Sequence, residues 1–93
     1  MNAISMTVAQ LKPGKRNEVD EFMAQRADTI SSISGLLNWG YADSGENEIT
    51  VIAVYDSKSA ADNATQYVNT ILGEVAPLVA AQPVRNIYEA HWH

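Results

Sequence analysis

The first segment of the chain alternates between apolar and polar residues. Apolar side chains occupy every second position from Ile4 to Val8, and this period of two is typical of a β-strand. A Pro13-Gly14 pair then interrupts the pattern, because proline cannot donate a ladder hydrogen bond and glycine tolerates unusual backbone angles. The pattern therefore predicts a first strand over residues 3 to 11.

Two later segments repeat their apolar residues at intervals of three and four, which places them on one stripe of a helix. The stripe of the first helix consists of Val19, Phe22, Met23, Ala27, Ile30 and Ile33. The stripe of the second consists of Ala61, Ala64, Val68, Ile71, Leu72 and Val75. We expect the first helix to end by Gly35, a residue suited to the left-handed conformation that closes many helices, and the second to end or kink at Pro77.

Three further segments have the patterns of strands. Residues 36 to 42 predict a second strand with Leu37, Trp39 and Tyr41 on one face and Leu36, Asn38 and Ala42 on the other. Residues 49 to 55 are β-branched or apolar at nearly every position, which is typical of a central strand covered on both sides. Residues 84 to 92 alternate again and predict the fourth strand, with Arg85 and His91 on one side and Tyr88 on the other.

The predicted order is β-α-β-β-α-β, that of a ferredoxin-like α+β domain. Right-handed crossovers would place both helices on one face of a four-stranded antiparallel sheet, with the first and third strands in the middle. A chain of 93 residues has the size of one domain. We therefore expect residues 1 to 93 to form a single domain.

The predicted strands carry large apolar side chains on both faces, whereas two helices cover only one. If about 500 Å² of apolar surface stayed in water, the loss at roughly 25 cal/mol per Å² would exceed ~10 kcal/mol, comparable with the stability of a small domain. A second copy packed sheet to sheet is the simplest cover, because closed two-fold symmetry is the commonest form of self-association. The sequence predicts a homodimer through the sheet face.

Charge and composition limit the classes of partner that the chain is expected to bind. The net charge is −5 and the six basic residues form no stripe, so neither nucleic acid nor an anionic membrane surface is an expected partner. The chain has no cysteine, which removes disulfides and thiolate chemistry. Its first residues lack the pattern of a secretory leader and no segment approaches the length of a membrane span. We expect a cytoplasmic protein.

Over nearly its whole length, the chain resembles the dimeric α+β barrel superfamily, and in particular its antibiotic biosynthesis monooxygenase-like domains. The resemblance is carried by the first strand with Lys12-Pro13-Gly14-Lys15 after it, by the helix ending in Ile33-Ser34-Gly35-Leu36, and by the run from Ile49 to Ala60. These residues are structural, so they specify the fold better than the activity.

The resemblance implies relatives that oxidise phenolic or quinol compounds without metal or flavin, in a pocket between sheet and helices. No cofactor is therefore expected. Other relatives degrade haem with an Asn, a Trp and a His, and the last two positions fall near Ala64 and Glu74 of this chain. The chain departs from the haem-degrading pattern there.

Oxidation of a phenol needs a group that assists deprotonation, a donor that stabilises the anion, and aromatic walls that hold the ring. Candidates for the catalytic roles are Asn38, Arg85 and His91. Candidates for ligand contacts are Trp39, Tyr41, Tyr67 and Tyr88. Aromatic residues of strands also serve as core or interface residues, and the alternative for Arg85 is an exposed salt bridge.

His91 and His93 lie on the same side of the last predicted strand, a spacing compatible with one metal ion. No third ligand is apparent, so no metal site is predicted. Two functions stay open at this stage. One is a cofactor-independent monooxygenase of small aromatic or quinol-type compounds. The other is a non-catalytic dimeric module that binds a small molecule or has a stress-associated role.

Overall fold

Strands and helices follow one another in the predicted order in the computed structural model, which describes residues 1 to 93. The strands are β1 (Ala3–Gln10), β2 (Leu36–Gly45), β3 (Glu48–Tyr55) and β4 (Val84–Glu89). The helices are α1 (Arg16–Ser31), α2 (Lys58–Asn63) and α3 (Thr65–Glu74), and a 3-10 turn follows at Ala76–Leu78. No helix is both long enough and apolar enough to cross a membrane.

The four strands form one antiparallel sheet in the order β2-β3-β1-β4. β1 and β3 are the central pair, as predicted, and β2 and β4 are the edges. The helices lie on one face of this sheet. The ferredoxin-like α+β fold predicted from the sequence is therefore confirmed.

β1 shows how differently the two faces of the sheet are covered. Its side chains beneath the helices are small, and all of them are buried: Ala3, Ser5, Thr7 and Ala9. The alternate positions hold the larger Ile4, Met6 and Val8, which remain half-buried or exposed on the other side. We call that side, which no part of the chain covers, the open face.

The core beneath the helices has two parts. The larger part joins α1 to the central strands and to the segment after α3, and consists of Ala9, Leu11, Val19, Met23, Ile49, Val75 and Val79. The smaller part consists of Ala3, Ala53, Tyr55, Ala61 and Ala64. Because four of these five are alanines, α2 packs close to the sheet, whereas α1 and α3 bring larger side chains.

The faces predicted for the start of β2 were wrong. Leu36 pairs with Tyr55 and Asn38 with Val54, so Leu37 is an extra residue in a bulge. The bulge places Leu36 among the half-buried residues beneath the helices and leaves Leu37 60% exposed. A period-two pattern cannot reveal this, because one inserted residue reverses the facing of the residues before it.

The second predicted helix is two helices, broken at Ala64. The carbonyl of Ala61 accepts hydrogen bonds from the Thr65 hydroxyl at 3.4 Å and from Nη2 of Arg85 at 3.2 Å. A threonine that bonds back to the carbonyl four residues earlier bends a helix. The fourth strand is also shorter than predicted and ends at Glu89, because its partner β1 begins at Ala3, opposite that residue.

Candidate functional site

A cavity of about 80 Å³ lies between the sheet and the helices. Its floor is the helix side of β1 and β3, and its roof is α1 and α3. Of the 22 residues that line it, 18 are apolar. Ligand pockets commonly measure about 300–1,000 Å³, and a cavity that admits benzene measures about 150 Å³. The space therefore suits one small ring at most, and only after lining side chains move.

Besides the aromatic Trp39 and Tyr55, three side chains with polar groups line this largely apolar cavity: Ser5, Thr7 and Arg85. They are neighbours in the sheet, because Ser5 and Thr7 lie two residues apart on β1 and Thr7 is the register partner of Arg85 on β4. Directly opposite residues of antiparallel strands have Cβ atoms about 5 Å apart. The polar groups are thus gathered on one part of the cavity floor.

The hydroxyl groups of Ser5 and Thr7 have no hydrogen-bond partner within the chain. Both residues are buried, with 4% and 5% of their surface exposed. No side-chain oxygen or nitrogen of the chain is both fully enclosed and unpaired, so each hydroxyl retains some open surface. Both residues line the cavity.

Arg85 is half-buried and has no carboxylate partner. Its Nη1 donates to the Thr65 hydroxyl at 2.8 Å and its Nη2 to the Ala61 carbonyl at 3.2 Å. The four ion pairs of the chain all involve other cations. The exposed salt bridge considered for Arg85 is therefore wrong, and its charge is balanced only by neutral oxygens.

An open groove adjoins the cavity beside β4. The groove measures about 930 Å³ and is lined by both apolar and polar residues of α3, β4 and the segment before β4. Leu72, Val79, Pro83 and Arg85 line the groove as well as the cavity. Arg85 therefore stands where the groove meets the cavity, and the groove offers an approach from solvent.

Two of the predicted aromatic residues lie on the helix side of β2. Trp39 lines the cavity and donates from Nε1 to the Ser31 hydroxyl at 2.9 Å. Tyr41 packs beside the core outside the cavity lining, and its hydroxyl donates to the Asp20 carboxylate at 2.9 Å. Burial, and then the hydrogen bond to Asp20, raise the pKa of Tyr41 above its usual value. Tyr41 is therefore a neutral phenol at neutral pH.

The other predicted site residues lie away from the cavity. Asn38 and Tyr88 are on the open face, as register partners of Val54 and Ile4 respectively. Tyr67 is an exposed residue of α3. His91 is exposed beyond the end of β4. The structure thus brings Arg85 and Trp39 to one cavity and separates them from the remaining five.

The acidic and imidazole side chains show no grouping suited to a metal ion. No three His, Cys, Asp or Glu side chains lie close enough together to hold one, and His91 and His93 are both exposed at the end of the chain.

The sequence patterns did not indicate that Ser5, Thr7 and Thr65 belong to the site. The first two were the polar members of an alternating strand, a pattern that does not say which face the helices cover. One signal was present: Ala3, Ser5, Thr7 and Ala9 are all small, whereas the alternate residues are large. Small residues on a central strand leave room beneath a helix, and that room is the cavity.

Comparison with known proteins gives a match in structure but none in sequence. No protein-family model matches the chain, and no curated protein matches it. The NE2512 protein of unknown function from Nitrosomonas europaea has the same fold, with a TM-score of 0.83 and 16% identity over 99% of this chain and 91% of that one.

Two further structures have the same fold. An antibiotic biosynthesis monooxygenase-like protein from Chloroflexus aurantiacus matches with a TM-score of 0.73 and 19% identity, over 100% of this chain and 97% of that one. SnoaB, a cofactor-independent oxygenase from Streptomyces nogalater, matches with a TM-score of 0.78 and 12% identity, over 99% and 95%.

The chain therefore has the fold of these structures. Antibiotic biosynthesis monooxygenase-like proteins are among the structures that share this fold, so the fold that the resemblance implied is confirmed. At these identities the likeness concerns the fold and leaves the activity open.

Proposed function

We propose that this protein is a cofactor-independent monooxygenase of a small aromatic or quinol-type compound. The observation that carries the proposal is the half-buried guanidinium of Arg85, which meets a largely apolar cavity without a carboxylate partner. The fold shared with a cofactor-independent oxygenase supports it.

Arg85 would stabilise the anion of a phenolic substrate. A positive charge near a phenol favours its ionised form, and the effect is larger in a water-poor site than in bulk water. The ionised ring is the electron-rich species that reacts with O₂. Trp39 would form an aromatic wall beside the ring.

The proposed reaction balances without an added reductant. A phenol with a free ring position takes up one O₂, gains one oxygen atom at that carbon and loses two hydrogens to water, which gives a quinone. The four electrons that reduce O₂ come from the substrate itself. The protein has to bind the ring, hold its anion and keep other reactants away.

A second function is favoured by one specific observation: no carboxylate or imidazole lines the cavity. A phenol bound there would have to lose its proton to water or to a group outside the cavity. A module that binds a small aromatic compound without turning it over needs no such base.

We also propose that the open face joins two copies of the chain. Met6 and Ile52 are register partners near the middle of this face and are 37% and 39% exposed. Val84 and Tyr88 extend the apolar surface across β4, with 60% and 51% exposed. The one charged side chain among the strand residues of this face, Glu48, lies at the end of β3, where it accepts a hydrogen bond from Gln10. An uncharged centre suits a second copy of the same surface.

The remaining site candidates stay predictions. Asn38 and Tyr88 could meet a ligand only at the open face. His91, Tyr41 and Tyr67 could do so only outside the cavity.

Oxygen uptake by the purified, metal-free protein tests the monooxygenase function. A panel of quinols and hydroxy-aromatic compounds would be assayed with the wild type, with Arg85→Gln, and with Arg26→Gln as the matched control. Arg26 lies on α1, outside the cavity, and pairs with Glu74 at 3.2 Å. Loss of a charge-stabilising donor from an active site commonly costs about 100-fold or more in rate.

We expect uptake with at least one compound, a loss on that scale in Arg85→Gln, and little change in Arg26→Gln. Melting curves of each variant, with and without the compounds, separate misfolding from loss of function. Stabilisation by a compound without uptake would favour the binding module, and an unchanged rate in Arg85→Gln would remove Arg85 from the mechanism.

A further inference from the structure

The groove beside β4 has the size of a ligand site, whereas the cavity beneath the helices does not. The groove measures about 930 Å³, and ligand pockets commonly measure about 300–1,000 Å³. Arg85 is the one charged residue among those that line it. The chain has eleven acidic residues against six basic ones, yet no acidic residue lines the groove. The charge of Arg85 is therefore not matched from within the groove.

Arg85 also has hydrogen-bond donors left over. A guanidinium carries five N–H groups, and the chain engages two of them, at the Thr65 hydroxyl and the Ala61 carbonyl. Of the other five cations, four form ion pairs and Lys12 is exposed to solvent. A charge that is partly withdrawn from water costs free energy unless it is paired. Arg85 is thus a half-buried cation that lacks an anion.

Other groups along the groove can donate hydrogen bonds as well. The lining includes three exposed side-chain amides, those of Asn69, Gln82 and Asn86. The backbone N–H of Ala90 donates to the Asn2 carbonyl at 2.9 Å, and the bonds of an antiparallel pair alternate along the strand. The backbone N–H groups of Arg85 and Ile87 therefore point away from β1, at an edge where no further strand follows. All these groups can donate to an anion held at Arg85.

Apolar residues beside Arg85 limit the kind of anion. Leu72, Val79 and Pro83 line the groove where it meets the cavity, so the rest of the ligand has an apolar surface to cover. A planar guanidinium matches the two oxygens of a carboxylate. A doubly charged phosphate group would lose more hydration beside these apolar side chains. The site therefore suits a carboxylate on a small apolar body.

We propose that the groove beside β4 binds a small organic acid, with its carboxylate at Arg85 and its apolar body against Leu72, Val79 and Pro83. This inference goes beyond the proposed function, because the binding of an acid requires no oxidation. The two share only the assignment of an anion to Arg85.

The test is an NMR titration of the full chain with benzoate, benzamide and phenyl phosphate. Benzoate and benzamide have nearly the same shape and differ in charge. The variants are Arg85→Gln and Arg85→Lys, with Lys58→Gln as the matched control. Lys58 is an exposed residue of α2 outside the groove, where it pairs with Asp62 at 3.1 Å. The position of the ligand is reported by the side-chain amide signals of Asn69, Gln82 and Asn86.

We expect the wild type to bind benzoate about 10-fold or more tightly than benzamide, because hydrogen bonds to a charged group are the stronger ones. Phenyl phosphate should bind more weakly than benzoate. Arg85→Gln should lose the preference for benzoate, and Arg85→Lys should keep part of it, since lysine retains the charge without the planar fork. Lys58→Gln should behave as the wild type, and melting curves show whether each variant is folded.

Equal binding of benzoate and benzamide by the wild type would overturn the inference, and so would no binding of benzoate. A preference for benzoate that persists in Arg85→Gln, or shifts confined to residues outside the groove, would do the same. Tighter binding of phenyl phosphate would overturn the assignment of a carboxylate. Benzoate has no hydroxyl group to oxidise, so these results are independent of the oxygen-uptake test of the monooxygenase.

Discussion

Single residues set how closely the parts of this domain approach one another, and Gly35 is the clearest case. It has a φ of +81°, in the left-handed region that other residues rarely adopt. A Cβ added there would lie 2.5 Å from the Cβ of Ala60 and 3.0 Å from an Asp56 carboxylate oxygen. Gly35 therefore provides both the turn between α1 and β2 and the space in which that turn meets α2.

Gly35→Ala should lower the free energy of unfolding by about 2–4 kcal/mol, because left-handed strain and a steric clash add together. Gly14→Ala is the matched control, since Gly14 has a φ of +79° with no atom within 4 Å of an added Cβ. Strain alone should cost that variant about 1 kcal/mol after the gain from a stiffer unfolded chain. Urea unfolding measures both. Equal losses would show that Ala60 and Asp56 move aside at no cost.

At the scale of elements, Arg16 joins the beginning of α1 to the β2–β3 hairpin. Its Nη1 pairs with the Asp43 carboxylate, and its Nη2 donates to the carbonyls of Gly45 at 2.7 Å, Glu46 at 2.8 Å and Glu48 at 3.3 Å. One planar guanidinium thus fixes a turn that has few apolar contacts of its own.

Arg16→Met should destabilise the domain by about 1–2 kcal/mol, because four hydrogen bonds from one charged group are lost. The ion pair itself adds little to this value, since Asp43 is largely exposed. Lys15→Met is the control: Lys15 pairs only with Glu18 on the surface and should contribute less than about 0.5 kcal/mol. Urea unfolding gives the two values, and hydrogen exchange should show faster exchange of the hairpin amides in Arg16→Met alone. Similar effects of both substitutions would exclude a special role for Arg16.

Element order and sheet topology were predictable because they follow from periodicity and from the handedness of crossovers. The central position of β3 followed from apolar residues on both of its faces. The bulge at Leu37 and the helix break at Ala64 were not predictable, because each depends on partners distant in sequence. The break depends on Arg85, which reaches the Ala61 carbonyl from another element.

At the scale of the whole molecule, the residues that reach the cavity are determined by the face of the sheet on which each strand residue lies. Asn38 and Trp39 are adjacent on β2, so their side chains point to opposite faces and only one can line the cavity. His91 lies beyond the end of β1, so no strand is available to hold it in the sheet. Arg85 and Trp39 meet in one cavity because the register across β2, β3, β1 and β4 sets both on the helix side.

Which face the helices cover also determines which surface is left for the proposed dimer. The sheet has four strands spaced about 4.8 Å apart, with residues about 3.3 Å apart along each strand, so the open face measures roughly 19 by 26 Å. That size suits a specific interface of about 800 Å² of accessible surface per partner. The small residues of β1 are under the helices and the large ones are outside, so the apolar surface that remains is the one most able to stabilise a dimer.

Met6→Lys should therefore weaken dimerisation by at least about 100-fold, because two symmetry-related charges would enter an uncharged interface without partners. Tyr67→Lys is the control, since Tyr67 is also 37% exposed but lies on α3, on the helix side of the sheet. Sedimentation velocity at micromolar concentration should show a dimer for the wild type and for Tyr67→Lys. Circular dichroism would show whether the Met6→Lys subunit stays folded, and either a folded monomer or an unfolded chain agrees with an interface at this face. A monomeric wild type, or a Met6→Lys variant that dimerises as before, would mean that the open face is covered by something other than a second copy.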